Sequence, residues 1–263
     1  MKMNMDRLQE GLRTKRFGKN IIFLREVGST NDLAKELAGY GAVEGTVVVA
    51  ETQTAGRGRL DRGWVSPKGG LWFSVVLRPE LKPAEAVGLV FVAGLAVAEV
   101  LRKLYGLKVE TKWPNDVLVK GRKVCGILTE MNTTGEKVNY VIVGVGVNAN
   151  FDVKKAFPED LKTVATSLEN ELGRKVRLEE LFRALLEKLE NIYGLFLEEG
   201  FGPVLGKWKT YAGFLGCQVE VASRTEKWVG LALDVENDGA LIMRLEDGTV
   251  KRVFVGDATL RSR

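Results

Sequence analysis

The sequence predicts a mixed α/β (α+β) fold followed by a small β domain. Short apolar strands alternate with helical patterns over residues 1–210, and two adjacent strands flank the turn Lys120-Gly121-Arg122-Lys123. Such alternation with hairpins is typical of a mixed sheet that carries helices. From about Gly216 the chain changes to short strands separated by turn signals such as Glu246-Asp247-Gly248. We therefore predict two domains, residues 1–210 and 211–263.

Each element has its own local signal. β-branched or alternating apolar runs predict strands at 20–26, 46–50, 71–77, 117–119, 124–131 and 140–147. The cluster Ser29-Thr30-Asn31 is a helix start. A second helix opens at Pro83 and ends before Gly106, and its apolar stretch is shorter than the roughly 20 residues that span a bilayer, which predicts a core helix. Leucines at helical spacing predict a third helix over 178–197.

The composition is that of a soluble globular protein and excludes several kinds of catalytic site. Of 263 residues, 45% are hydrophobic and 28% charged. The chain has no histidine, which rules out Ser-His-Asp triads, Cys-His pairs and HExxH zinc sites. Cys125 and Cys217 are far apart and belong to no CxxC motif, so we predict two buried thiols. Chemistry must come from Lys, Arg, carboxylates and the backbone.

The N-terminus and the charge distribution bear on location and partners. Residues 1–16 include basic residues with no apolar run behind them, so we predict no signal peptide, no membrane association and a cytoplasmic protein. Residues 1–210 hold 32 Lys and Arg against 26 Asp and Glu, whereas residues 211–263 hold 7 against 8. A basic surface suits nucleic acid, anionic substrates or an acidic protein partner equally well.

The most informative segment is glycine-rich and polar, residues 51–70. It contains Gln53-Thr54-Ala55-Gly56-Arg57-Gly58-Arg59, followed by Trp64 and the pair Gly69-Gly70. Glycines let backbone N–H groups approach a phosphate closely, and arginines add charge-assisted hydrogen bonds. The segment is suited to an anion. A bare Gly-Arg-Gly-Arg is equally compatible with a solvated surface loop.

Three further motifs lie on or beside strands. Lys112-Trp113-Pro114-Asn115-Asp116 follows a strand that begins near Val109, and its stiff turn would project polar side chains from the end of the sheet, unless it is an ordinary turn around a packed Trp. Lys123 precedes Gly126, a strand glycine typical of close approach by a ligand or of a bulge. Residues 144–149 fit GxGxxA, but no helical pattern follows, so a dinucleotide site is disfavoured.

Together and in this order, these segments resemble the biotin protein ligase family over residues 21–263. The matching residues are Ser29, Thr30, Asn31, Gln53, Gly56, Arg57, Gly58, Arg59, Trp64, Lys112, Trp113, Pro114, Asn115, Asp116, Lys123, Gly126 and Asn148. The resemblance implies a catalytic domain of the biotin/lipoyl ligase type and an SH3-like C-terminal barrel. It does not include an N-terminal winged helix-turn-helix, since about twenty residues precede the first strand, so we expect no DNA binding.

The resemblance also implies a reaction and roles. Biotin would be activated with ATP to biotinyl-AMP and passed to a lysine of a carrier domain. The implied catalytic residues are Lys112, Arg57 and Arg59. Those implied for biotin are Ser29, Thr30, Asn31, Gln53, Arg57, Gly58, Arg59, Lys123 and Gly126. Those implied for ATP and the adenylate are Arg57, Arg59, Trp64, Lys112, Asn115 and Asn148. Asp116 is a candidate base, and Mg²⁺ would be held mainly by the ATP phosphates rather than by a protein metal site.

The implied partner is the biotin carboxyl carrier protein or domain of a biotin-dependent carboxylase, and the resemblance also implies a homodimer. Two other functions compete. A lipoate ligase would share the fold, but that family's signature includes a histidine, which this chain lacks, and does not carry the full 112–116 motif. A nucleic-acid-binding protein would suit the pI of 9.1, yet residues 211–263 are net acidic and contain no recognition-helix module.

Overall fold

The computed structural model describes residues 8–223 and 225–260, so the first seven residues of the N-terminal segment lie outside the described residues. The strands of the first sheet are β1 (Ile21–Val27), β2 (Val47–Gln53), β3 (Leu71–Leu77), β4 (Val109–Lys112), β5 (Asp116–Val119), β6 (Arg122–Thr134) and β7 (Lys137–Val147). The helices are α1 (Thr30–Gly39), α2 (Pro83–Ala86), α3 (Leu89–Tyr105), α4 (Val153–Ala156), α5 (Glu159–Lys162), α6 (Leu168–Leu172), α7 (Leu178–Glu199) and α8 (Phe201–Lys209). The second sheet consists of β8 (Gln218–Ala222), β9 (Lys227–Val235), β10 (Leu241–Leu245), β11 (Val250–Val253) and β12 (Asp257–Leu260).

The first sheet is mixed. Its strand order is β1-β2-β3-β7-β6-β5-β4, with β1 and β2 parallel and every other neighbouring pair antiparallel. The second sheet is antiparallel, in the order β11-β10-β9-β8-β12. These two sheets confirm the predicted fold class of a mixed α/β unit followed by a β unit.

The two faces of the first sheet are covered differently. Helix α3 packs on one face, with α7 and α8 behind it, and this layer holds most of the apolar core. Helix α1 covers part of the opposite face, where Val48, Val76 and Ile142 pack beneath it. Because side chains alternate across a strand, residues four positions further along β7, such as Gly146, lie on the face of α1 but beyond its cover. The uncovered part of that face is the place for a cleft.

The apolar core continues from the first sheet into the second. Trp113 is 1% exposed and its Nε1 donates to the carbonyl of Gly239, 2.9 Å away. Trp208, at the end of α8, packs edge-on against Phe214 in the connection to β8. The second sheet therefore packs against the first through buried tryptophans. The predicted domain limit at residue 210 falls in this connection and stays a prediction.

The observed elements depart from the predicted ones in a few places. The helix expected from Pro83 to Tyr105 is broken at Val87 and Gly88, where a Cβ on Gly88 would lie 2.6 Å from the Phe196 ring. Helices α4, α5, α6 and α8 were not predicted, since all four are short. The prediction of two buried thiols is wrong for Cys217, which is half-buried at the start of the second sheet, whereas Cys125 is fully buried.

Residues Pro83–Tyr105 together are long and apolar enough to cross a membrane by composition, but 78% of the most apolar window is buried inside the fold. This burial is typical of a core helix and agrees with the prediction made from the sequence.

Core packing between the sheet and α7 can be tested at Phe182, which is fully buried and meets Phe73 edge to face at 5.5 Å between ring centroids. We expect Phe182→Ala to lower the free energy of unfolding by about 3–5 kcal/mol, because the deletion leaves a cavity. Urea unfolding followed by circular dichroism measures this. The same deletion at Phe254, which is 60% exposed, should cost about 1 kcal/mol or less. Equal losses at both positions would contradict the assigned core.

Candidate active site

A cleft of about 550 Å³ lies on the α1 face of the first sheet. It is bounded by the start of α1, by the 51–70 loop (residues 51–70), by the 112–116 turn and by β12 of the second sheet. All the side chains or glycines predicted for biotin, ATP or the base line it: Ser29, Thr30, Asn31, Gln53, Arg57, Gly58, Arg59, Trp64, Lys112, Asn115, Asp116, Lys123, Gly126 and Asn148. The structure thus brings together residues that are up to 119 positions apart in sequence.

One end of the cleft is polar and built at the start of α1. Ser29 caps the helix by accepting from the backbone N–H of Asp32, as the sequence predicts. Thr30 donates its hydroxyl to Gln53 Oε1 at 3.1 Å, and Gln53 Nε2 donates to Ser66 Oγ at 2.7 Å. These bonds hold the amide of Gln53 in one orientation. This end therefore offers fixed neutral hydrogen-bonding groups.

The floor of the cleft is formed by strand glycines. Gly126 of β6 and Gly146 of β7 are register partners, and both lie against the indole of Trp64. A Cβ on Gly126 would be 2.8 Å from this ring, and one on Gly146 would be 2.7 Å from its Nε1. The close approach predicted at Gly126 is thus made by Trp64. Its indole Nε1 is buried and has no hydrogen-bond partner among the described residues.

The other end of the cleft is cationic. Lys112 Nζ lies 3.6 Å from Asp116 Oδ2, and Lys123 Nζ lies 2.5 Å from Asp116 Oδ1. Asp116 is 8% exposed and sits between the two lysines. Lys123 also stands over the Trp64 ring, 5.0 Å from its centroid, in the range of a cation–π contact. The carboxylate of Asp116 holds two like charges close together at this end.

Arg59 joins the cationic end through the second sheet. Its Nη1 donates to the carbonyl of Gly256 at 3.0 Å and lies 3.2 Å from Asp257 Oδ1. Arg62 reaches the other oxygen of Asp257 at 2.5 Å. Burial lowers the pKa of Arg59 from its ordinary value, opposed by the charges of Asp257 and Asp116. Arg59 and Arg62 of the 51–70 loop are therefore held by β12.

Arg57 is placed differently from Arg59. Its guanidinium contacts Asp32 of α1 and Glu130 of β6, with Nη2 3.0 Å from Glu130 Oε2. The hydrogen bond that Arg57 donates to Asp32 raises the pKa of Arg57, with further contributions from Glu130. Lys35 Nζ also lies 3.7 Å from Glu130. The two cations of this corner are balanced by two carboxylates, so Arg57 adds no net positive charge to the cleft.

The two predicted asparagines use part of their hydrogen-bonding capacity within the protein. Asn115 donates to the carbonyl of Ile127 at 2.8 Å, and its Oδ1 lies 3.4 Å from Arg59 Nη1. Asn148 donates to the carbonyls of Thr166 and Lys123. Its buried Oδ1 has no hydrogen-bond partner among the described residues, so it is available to a ligand donor.

Several residues of the site were missed from the sequence. Gly144 and Gly146 were examined only as a dinucleotide motif, although a glycine recurring every second strand residue is a signal for a bare surface. Asp257 carried no local signal, because it lies 198 positions from Arg59, the residue it binds. Asp32 and Glu130 were likewise unrecognised, since each is an ordinary charged residue of a helix or strand until Arg57 reaches it.

Comparisons with known proteins agree with this geometry. The sequence profile of the biotin/lipoate A/B protein ligase family matches residues 24–148. "Bifunctional ligase/repressor BirA" of Bacillus subtilis is 35% identical over 98% of this chain and 79% of its own. "Biotin--[acetyl-CoA-carboxylase] ligase" of Paracoccus denitrificans is 35% identical over 84% of this chain and 92% of its own. The structure of the Aquifex aeolicus biotin protein ligase in complex with biotin and ATP superposes with a TM-score of 0.78, at 33% identity, over 93% of this chain and all of that chain.

The fold and the cleft, with its arginine-bearing loop and its two sheets, are those of an ATP-binding ligase. This chain belongs to the biotin/lipoate A/B protein ligase family, and within it to the biotin protein ligases.

The packing of Trp64 against the floor of the cleft can be tested at Gly146. An added methyl group would overlap the indole, so we expect Gly146→Ala to displace Trp64 and to lower the free energy of unfolding by about 1–3 kcal/mol. The matched control is Gly28→Ala, where a Cβ would meet nothing within 4 Å. Urea unfolding and the tryptophan emission maximum report the two effects. An unchanged emission maximum in Gly146→Ala would contradict the contact between Trp64 and the floor.

Proposed function

We propose that this protein activates biotin with ATP to biotinyl-5'-AMP, releasing pyrophosphate, and transfers the biotinyl group to a lysine of a biotin carboxyl carrier domain of a biotin-dependent carboxylase. The observation that carries the proposal is the division of the cleft into a neutral polar end and a cationic end. Biotin has the matching form, an uncharged polar ring system at one end and a carboxylate at the other.

The charge distribution orients the substrates. At the cationic end the ion pairs of Lys112, Lys123, Arg59 and Arg62 are made with two carboxylates, Asp116 and Asp257, whereas the corner around Arg57 is balanced. The biotin carboxylate and the ATP phosphates therefore belong beside Lys112 and Lys123. The ring system belongs at the Thr30 and Gln53 end, and apolar side chains such as Leu128 line the path between them.

In the first step a carboxylate oxygen of biotin attacks the α-phosphorus of ATP. The new P–O bond replaces the bond to the β-phosphate oxygen, and pyrophosphate leaves with the electron pair. Two anions must approach each other, so fixed positive charge between them lowers the barrier. Lys112 is the candidate for contact with both anions, and Arg59 for the phosphates. Arg57, predicted to share the phosphates, is better suited to fastening the loop.

Mg²⁺ has no separate protein site in this proposal. Among residues 8–223 and 225–260, no group of three or more His, Cys, Asp and Glu is arranged to hold a metal ion. The ion would be carried by the ATP phosphates, where it supplies neutralisation of the leaving pyrophosphate. Asn115 and Asn148 offer neutral amide groups near the nucleotide.

In the second step the neutral amine of the carrier lysine attacks the acyl carbon. A C–N bond forms, the C–O bond to phosphate breaks, and AMP leaves. The amine gives its proton to Asp116 or to solvent, because the chain has no histidine to accept it. The 51–70 loop covers the floor through Trp64 and would keep water from the adenylate.

The remaining parts of the proposal concern the whole chain. Residues 1–210 form the catalytic domain and residues 211–263 an SH3-like domain that supplies Asp257 to the cleft. A homodimer and the lack of DNA binding stay predictions from the resemblance, and a cytoplasmic location stays a prediction from the N-terminal sequence.

The substrate is tested by mixing the protein with Mg²⁺, ATP and either biotin or lipoate, and measuring pyrophosphate release and the acyl-adenylate by mass. We expect both products with biotin and neither with lipoate, because the 51–70 and 112–116 motifs are those of the biotin branch. Adenylate from lipoate alone would overturn the substrate but keep the fold. If neither acid gives pyrophosphate, the ligase proposal fails, and titration with DNA at two salt concentrations becomes the next measurement.

Lys112→Ala is expected to reduce the rate of pyrophosphate release about 100-fold or more, because its charge acts on the transition state. Biotin binding, measured by calorimetry, should change less than about threefold. Lys227→Ala removes a lysine from β9 whose side chain is 61% exposed and should leave both measurements unchanged. A Lys112→Ala variant that loses only biotin affinity would make Lys112 a binding residue.

A further inference from the structure

The 51–70 loop is fastened to the first sheet by Arg57. Both oxygens of Glu130 lie within hydrogen-bond distance of Arg57 Nη2, at 3.1 and 3.0 Å. Arg57 Nη2 also donates to Asp32 Oδ1, and Arg57 Nε donates to Asp32 Oδ2 at 3.3 Å. The two carboxylates differ in exposure, since the side chain of Asp32 is 54% exposed and that of Glu130 is 20% exposed. Solvent screens the contact between Arg57 and Asp32 more strongly. The contact between Arg57 and Glu130 is therefore the less screened of the two.

Glu130 has a second partner that Asp32 lacks. Asn31 Nδ2 donates to Glu130 Oε2 at 2.9 Å, while Asn31 Oδ1 accepts from Ser74 Oγ at 2.6 Å. Asn31 is 4% exposed and sits directly on Gly144, where a Cβ would be 2.1 Å from its Oδ1. The amide of Asn31 is therefore held in one orientation from both sides. It lines the neutral end of the cleft.

We propose that Glu130 is a positioning residue that couples occupation of the Asn31 end of the cleft to closure of the 51–70 loop. The coupling rests on the proposed function, in that the ring system of biotin occupies this end. The Glu130 carboxylate accepts a hydrogen bond from Asn31 with one oxygen and from Arg57 with both oxygens. A ligand that adds a contact to Asn31 strengthens the hold on Glu130 and through it on Arg57, and a closed loop in turn strengthens the hold on Asn31 for the ligand. Such coupling acts in both directions by the same factor.

The test compares Glu130→Gln with Asp32→Asn. Glutamine has one acceptor oxygen and no charge, so it offers Arg57 one acceptor instead of two and removes the charge from the hydrogen bonds with both Asn31 and Arg57. Asparagine at position 32 weakens the Arg57 tie but leaves Asn31 untouched. Glu136→Gln, in the exposed turn between β6 and β7, is a control for loss of charge. The measurements are biotin affinity by calorimetry without nucleotide, and the rate of trypsin cleavage after Arg57, Arg59 and Arg62 with and without saturating biotin.

We expect biotin to slow cleavage of the wild type, of Asp32→Asn and of Glu136→Gln. In Glu130→Gln we expect biotin to bind about tenfold more weakly, the effect of losing one charge-assisted hydrogen bond, and to give no protection even at saturation. Arg57→Gln should also lose protection, and the double variant should be no worse than Glu130→Gln alone, because both changes act through the contact between Glu130 and Arg57. This second route keeps the test valid if Glu130→Gln fails to fold.

The outcomes separate the two proposals. A wild type that does not bind biotin overturns the proposed function and the coupling with it. A wild type that binds biotin and is protected, with Glu130→Gln protected to the same degree, overturns the coupling alone. Additive losses in the double variant do so as well, since they would show that Glu130 and Arg57 act independently.

Discussion

The bare strip of sheet beneath the cleft is the constraint on which the rest of the site depends. Gly126, Gly144 and Gly146 lie on one face of β6 and β7, and each is in close contact with a side chain that a methyl group would displace. Asn31 rests on Gly144 and Trp64 on the other two. Because protein interiors are close-packed, these contacts are possible only where the strands carry no side chains. The position of Asn31 and the packing of Trp64 from the 51–70 loop on the sheet follow from these glycines.

Charge is the second organising element, and it is kept in place by carboxylates. Cations gathered at one end of a cleft repel one another and are costly to bury. Asp116 holds Lys112 and Lys123 together, and Asp257 holds Arg59 and Arg62. The positive groups are thus already in position before an anion arrives, which is the condition under which fixed charges lower a barrier most.

The 51–70 loop connects parts of the molecule that would otherwise be independent. It is tied to α1 and β6 through Arg57 and to β12 through Arg59 and Arg62. Within the loop, Arg57 and Gly63 pair, so that the first and last arginines approach each other. The second sheet therefore takes part in closing the cleft. Its position depends in turn on the buried contact of Trp113 with the carbonyl of Gly239.

The sequence by itself determined the fold class, the order of the main elements and most of the polar residues that line the cleft. Local signals are sufficient for these, because a cap at Ser29, a helix end at Gly106 or a glycine loop depends on neighbours along the chain. Only the tertiary structure decided which charges meet. Arg57 and Arg59 are two positions apart and look equivalent in sequence, yet one is balanced by Asp32 and Glu130 while the other reaches Asp257. Such pairings join residues up to 198 positions apart, and they arise from the packing of two sheets, which no local pattern encodes.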